Sequence, residues 1–265
     1  MSWPTWDQAA LLALTCVAVA HLVGRRPDTP TRRAVVLAAR ELALVASLYA
    51  VWRIARQLPL AEDDGAIERA RHIVRLQHEL HLPTELSLQH FVLRHAWLAE
   101  ATNLYYATLH VPSLLAFLVW IYVRHRDHYP HWRNGLAILT GFCLVIRFIR
   151  VAPPRFLSDL GYIDLSERYG LSLYGPVGTG VSDQFAAMPS IHVGWAAVVS
   201  FGIVAASSSR WRWAFLAHLA LTMLVVAASG NHWWLDGIVA VALLGLALLI
   251  DTAVRQIRQP AFPSP

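Results

Sequence analysis

A chain of 265 residues that is 56% hydrophobic, with 11 tryptophans and a mean hydropathy of +0.44, is too apolar for a soluble domain of that size. Its net charge of +5 does not mark a nucleic-acid binder, because the arginines gather in short segments between apolar runs instead of along one face. Cys16 and Cys143 both lie inside apolar runs without Cys-x-x-Cys spacing, so neither a disulfide frame nor a thiolate metal site is indicated.

A hydrocarbon core about 30 Å thick takes roughly 20 apolar residues per helix. Seven spans are predicted in chain order, at residues 7–24, 34–58, 102–123, 135–152, 189–206, 212–229 and 233–251. The fold class is therefore all-α, a polytopic membrane bundle of six to seven transmembrane helices. No basic segment precedes the first apolar stretch, so no cleavable signal peptide is expected. Arginine-rich connectors fall at Arg25-Arg26 with Arg32-Arg33, from Arg124 to Arg133, at Arg210 and Arg212, and at Arg255 and Arg258. Alternating the spans puts all four on one side, which the positive-inside rule makes cytoplasmic, with an outside N-terminus and an inside C-terminus. The stretches 60–101, 152–188 and 230–236 then face outward. In these terms the chain divides into N-terminal membrane helices (1–59), extracytoplasmic interfacial helices (60–101), a membrane core (102–254) and a tail (255–265).

Within the outward stretch, Ile67, Ala70, Val74 and Leu80 recur at helical spacing among Arg69, Arg71, Arg75 and Glu79, the pattern of a helix lying at the interface. After Pro83, Thr84 is placed to cap a second short helix carrying Leu86, Leu88, Phe91 and Val92. The pair is expected to form a lid or collar. The long connector from Ala152 to Pro189 is punctuated by Pro153, Pro154, Gly161, Gly170, Gly175, Pro176, Gly178 and Gly180, and ordered connectors of that length usually carry function.

Two blocks carry the chemistry. In the first, Met188-Pro189-Ser190-Ile191-His192, Pro189 suits the first turn of a helix, so the amides of Ser190, Ile191 and His192 are expected to be free as an anion site. His192 is then placed to protonate a leaving oxygen. In the second, Gly230-Asn231-His232-Trp233-Trp234-Leu235-Asp236, a four-residue step puts His232 and Asp236 on one helix face. There the carboxylate can accept a hydrogen bond from one imidazole nitrogen and leave the other unprotonated and nucleophilic. The plainer alternative is an interfacial histidine with Asp236 capping the last span and the tryptophans as anchors. A phosphoryl group spreads charge over three oxygens that need fixed donors, and Arg147, Arg150 and Arg155 gather where the fourth span meets the long connector. Arg147 and Arg150 are also close enough to the edge to snorkel.

These blocks, with Ala152-Pro153-Pro154-Arg155, resemble the type 2 phosphatidic acid phosphatase superfamily, and in detail its inositol phosphorylceramide synthase-related branch. The flanking Asn103-Leu104-Tyr105-Tyr106 and His110 share in the resemblance, which covers roughly residues 60 to 251. It implies a helical core shared with vanadium haloperoxidases, no metal and no cofactor, and a phosphohistidine intermediate. By carry-over His232 is the nucleophile, Asp236 its orienting group, His192 the general acid, and Ser190 and Arg155 phosphate donors, with Arg147 and Arg150 as further donors. The chain departs from the pattern at three places. Phe148 stands where a lysine is usual, Ile191 replaces a glycine, and Val226 replaces an arginine.

The reading implies an enzyme in the membrane, of the bacterial plasma membrane, with its site outside. Its partners are an amphiphilic lipid phosphate, the surrounding lipid and an alcohol or polyol acceptor, with no nucleic acid. Two other readings use the same residues. His192, His232 and Asp236 are a donor set for zinc or iron, and buried charges also line the paths of non-catalytic transporters.

Overall fold

The computed structural model describes residues 4–25, 29–57, 65–169 and 184–258. Gly170, Gly175, Pro176, Gly178 and Gly180 of the long connector and the tail beyond Arg258 lie outside them. Every regular element described is helical, and the chain forms two compact units, Met1–Pro59 and Leu60–Pro265.

The first unit is a helical hairpin of α1 (Trp6–Gly24) and α2 (Pro30–Gln57). Its seam is made of small residues, Ala9, Ala13, Cys16 and Ala20 on α1 and Ala39, Ala43, Ala46 and Ala50 on α2, all buried. Each set repeats at alternating steps of four and three, so the two backbones approach closely without bulky side chains between them. Leu11, Leu14, Leu22 and Val51 point outward instead, as lipid-facing side chains do.

The second unit contains α3 (Ala66–Glu79), α4 (Glu85–Leu93), α5 (Ala96–Thr108), α6 (His110–Arg124), α7 (Tyr129–Ile146), α8 (Leu165–Arg168), α9 (Ile191–Ala206), α10 (Leu216–Ala228) and α11 (Trp234–Arg258). Its main core joins α6, α7, α9 and α11 through Phe117, Ile121, Leu139, Val198 and Leu244. The fit is close: a Cβ at Gly202 would collide with the ring of Phe117.

Four helical stretches, Trp6–Gly24, Pro30–Ala55, Arg210–Ala228 and Trp234–Arg258, are long and apolar enough to cross a membrane, and α5 with α6 makes a fifth, bent by 48°. The chain is a multi-pass helical membrane protein. The single span expected at 102–123 is thus two helices. Pro112 has no N–H for the carbonyl of Thr108, so the helical ladder is interrupted at the bend. The span expected at 135–152 ends at Ile146, because the N–H and C=O of Val151 are taken by Phe185 and Ala187. α9 has 16 residues, about 24 Å of helix.

Two further expectations change. The buried face of α3 is Ala66, Ala70, Ile73 and Gln77, while Ile67 and Leu80 are exposed. Small alanines win this face because the chain at Ala152 lies directly on it, its N–H donating to the carbonyl of Ala66 (3.1 Å). Thr84 does cap α4, accepting from Leu86 N at 3.1 Å. The pair expected as a lid or collar also touches the start of α11, where Glu85 accepts from Trp234 N and Gln77 from Leu235 N.

Candidate active site

The site begins where α10 stops. The Gly230 N–H donates to Ala227 O and the Asn231 N–H to Val226 O, the paired bonds of a Schellman end. Gly230 sits at φ +73°, where a side chain is disfavoured, and a Cβ there would lie 3.1 Å from the carbonyl oxygen of Ile163. Val226 O also accepts from His232 N (3.1 Å). The turn therefore points Asn231 and His232 back over the helix end.

α11 starts at Trp234, so His232 precedes the helix rather than lying on it. Trp233 is the residue before the first turn, and its N–H donates to Asp236 Oδ2 at 2.8 Å, half of a capping box. Tryptophan has no acceptor to offer the first amides of the helix. Those amides are met from outside: Trp234 N donates to Glu85 Oε1 (2.8 Å) and Leu235 N to Gln77 Oε1 (3.0 Å). Gln77 in turn donates to Glu85 (2.8 Å). Burial pushes the Glu85 carboxyl above its ordinary range, opposed by the Trp234 N–H. Burial likewise pushes the neighbouring Tyr162 phenol up to about 12, so it stays a donor. The Trp233 indole completes the anchoring, donating to Ala152 O at 2.9 Å.

Held this way, His232 meets both of its expected neighbours. Its Nδ1 lies 2.7 Å from Ala187 O and 3.3 Å from Asp236 Oδ2. A backbone carbonyl only accepts, so Nδ1 carries the proton and Nε2 presents its lone pair. That Nε2 is 3.3 Å from His192 Nδ1. Asp236 is fully buried, and its Oδ1 has no hydrogen-bond partner among the described residues. Asp236 thus lies against an imidazole and accepts from the capping residue of α11 at once, while Trp233, expected as an interfacial anchor in the plainer reading, is buried. Ala187 reaches His232 because Ala187 N bonds Val151 O and Val151 N bonds Phe185 O, a short parallel bridge between residues 151 and 186.

The first block differs in detail from expectation. α9 begins at Ile191, with Pro189 outside it and Ser190 as the capping residue, whose Oγ accepts from Val193 N. The Ser190 N–H, expected to be free, donates to Asp236 O at 3.1 Å. That bond ties the two histidine blocks together through their backbones.

Of the arginines, Arg155 is joined most directly to the second block. Its Nη1 donates to Asn231 Oδ1 at 2.6 Å, its Nε is 3.3 Å from Asp164 Oδ2, and its own N–H bonds Gly230 O (3.0 Å). Arg147 is buried at the end of α7 with its guanidinium over Phe148 (5.9 Å). Arg150 lies over Phe185 (5.4 Å), one residue before the bridge at Val151 and outside the regular helices. Sequence reasoning missed Ala187, Glu85, Gln77, Asn231 and Asp164. A backbone carbonyl leaves no trace in residue type, and Gln77 and Glu85 stand some 150 residues from their targets. Among the described residues, no group of three or more His, Cys, Asp or Glu side chains is arranged to hold a metal ion.

A multi-pass helical membrane protein with a buried carboxylate and two facing imidazoles at its helix ends defines a class of membrane proteins with a histidine-centred site. The model of the PAP2 superfamily matches residues 71–250, and the chain belongs to that superfamily. The superfamily is one of phosphatases and phosphotransferases. The match is to the superfamily as a whole and singles out no branch. No curated protein and no solved structure matches the chain.

Proposed function

We propose that the chain is a metal-independent membrane phosphatase or phosphotransferase that removes phosphate from a lipid-linked ester through a phosphohistidine on His232. The observation that carries this is the pinning of His232 Nδ1 by Ala187 O and Asp236 with Nε2 directed at His192. An imidazole with one nitrogen held as N–H keeps a nucleophilic lone pair on the other at neutral pH.

In the first half-reaction Nε2 forms a bond to phosphorus as the ester P–O bond breaks. The leaving oxygen takes the bonding pair and a proton from His192. In the second half, the acceptor hydroxyl gives its proton to His192 as its oxygen bonds phosphorus and the P–N bond breaks. In-line displacement needs reacting atoms about 3 Å apart on each side of phosphorus. The 3.3 Å between the two imidazoles therefore opens when phosphate enters, with His192 moving to the leaving-group side. Arg155, set by Asn231 and Asp164, supplies charge to the phosphoryl oxygens. Ser190 has a hydroxyl proton that its cap does not use, and Arg147 and Arg150 are additional donors. Asp236 stabilises the cationic ring that forms on phosphorylation.

The donor is an amphiphile, since the site lies where membrane helices end. The arginines of 124–133, 210–212 and 255–258 at the other ends of these helices support an extracytoplasmic site and a cytoplasmic C-terminus. The acceptor is water or an alcohol. Purified protein incubated with a panel of lipid phosphates, with and without inositol or glycerol, should release phosphate or form a new phosphodiester. Phosphodiester product would mark a head-group transferase of the inositol phosphorylceramide synthase kind. Vanadate should inhibit and chelator should not. Turnover that survives His232→Asn would overturn the mechanism.

A further inference from the structure

His110 heads α6 at the bend with α5 and is only 5% exposed, yet among the described residues neither of its ring nitrogens has a hydrogen-bond partner. A buried imidazole left in this way loses its hydration with no hydrogen bond in return, and such groups are rare unless they have a task. Its surroundings indicate the task. The His110 ring lies 4.8 Å from that of His192, nearer than the 5.5 Å between His192 and His232. Tyr106 packs against both, at 5.8 Å from His110 and 4.7 Å from His192. Tyr105 closes the other side at 5.6 Å, but its hydroxyl is engaged elsewhere, with His218 (2.9 Å) and Thr222 (3.0 Å). On the same buried face of α5 as Tyr106, Asn103 has an amide nitrogen that is also buried and, among the described residues, without a partner. Buried nitrogens without a partner among the described residues thus collect beside His192, at His110 of α6 and Asn103 of α5.

We propose that His110 is a further catalytic residue that hydrogen-bonds the alcohol oxygen of the substrate, the one that leaves phosphorus, alongside His192. This rests on the reaction proposed above. As the P–O bond breaks, its electron pair collects on that oxygen. His192 transfers a proton to it, and the N–H of neutral His110 donates to it without changing the proton balance. When an alcohol arrives in the second half-reaction, the same contact holds its oxygen while His192 takes the proton. The ligand class is therefore an aliphatic hydroxyl, of a lipid alcohol leaving or a polyol arriving.

The test compares leaving groups. Full-length protein in detergent, as wild type, His110→Phe and His110→Gln, is assayed for kcat/KM on dodecyl phosphate and on p-nitrophenyl phosphate. An alkoxide leaves only with help, whereas p-nitrophenolate leaves without it. His110→Phe should lower kcat/KM about 100-fold on the alkyl ester and less than about 3-fold on the aryl ester, and His110→Gln, which keeps a donor, should recover at least 10-fold on the alkyl ester. Equal losses on both esters, or no loss on either, would overturn the proposal. Should His110→Phe fail to fold, the His110→Gln protein must still lose more on the alkyl than on the aryl ester, and an equal loss overturns the proposal in the same way. His232→Asn is assayed beside them: its activity tests the phosphohistidine, and the alkyl-to-aryl ratio in the His110 variants tests His110.

Discussion

The carbonyl oxygen of Ala187 lies 2.7 Å from Nδ1 of His232, nearer than the carboxylate of Asp236 at 3.3 Å. The tautomer of the candidate nucleophile is thus held by two acceptors from different parts of the chain, one of them backbone. Losing the carboxylate charge and losing the tautomer are therefore separable here. Asp236→Asn should cost kcat/KM of order 10² on a lipid phosphate, the low end of general acid–base effects, while His232→Asn should leave no measurable turnover. A loss in Asp236→Asn as deep as that in His232→Asn would mean that Ala187 does not hold the ring.

Arg155 is aimed through Asn231, the residue before the candidate nucleophile. Asn231→Leu removes the acceptor at similar size and leaves the guanidinium to turn. Its effect should be a roughly 10-fold rise in KM for lipid phosphate, the value of one charge-assisted hydrogen bond, and weaker inhibition by vanadate. An unchanged KM would remove Arg155 from the phosphate site.

Gly230 ends α10 at φ +73° with Ile163 O, Gln89 Nε2 and Arg155 Cβ all close to where a side chain would stand. Gly230→Ala should cost about 1–3 kcal/mol from backbone strain and move His232 as well, because the same turn carries it. Thermal unfolding and turnover should fall together. A variant of unchanged Tm and activity would show that the turn accommodates a methyl group.

Glu85 is the acceptor for the first amide of α11, and burial raises its carboxyl above the ordinary value of 4.5. A raised folded-state pKa means that the folded protein holds this proton more tightly than the unfolded chain. The stability it contributes is complete below pH 4.5 and declines as pH rises through the folded value. Glu85→Gln keeps an acceptor for Trp234 N and never ionises. Relative to wild type its Tm should therefore gain progressively from pH 4.5 upward. A difference between the two proteins that does not change with pH would show that Glu85 titrates in the folded protein as it does in the unfolded chain.

Much was legible from residue order alone. Apolar runs of membrane length mark their own helices, because the hydrophobic effect and the bilayer act on composition and length. Each of the seven expected spans corresponds to a helix or a helix pair, but among the described residues only five of these, the bent pair included, are long and apolar enough to cross a membrane, and those expected at 135–152 and 189–206 are not among them. The blocks around His192 and His232 were equally visible, since proline, glycine and histidine at close spacing announce a helix start, a turn and a titratable group. Tertiary structure decided what those local signals cannot encode. The choice of α3 face depended on which alanines lay against Ala152. The ends of α7 and the bend at Pro112 depended on which backbone groups found partners, and the cap of α11 came from Gln77 and Glu85, far away in sequence. The role of Ala187 in orienting His232 is a property of a carbonyl that every residue has. Hydrophobic periodicity is local and survives reading in one dimension, whereas a hydrogen bond between residues 187 and 232 exists only once two separate segments have been brought together.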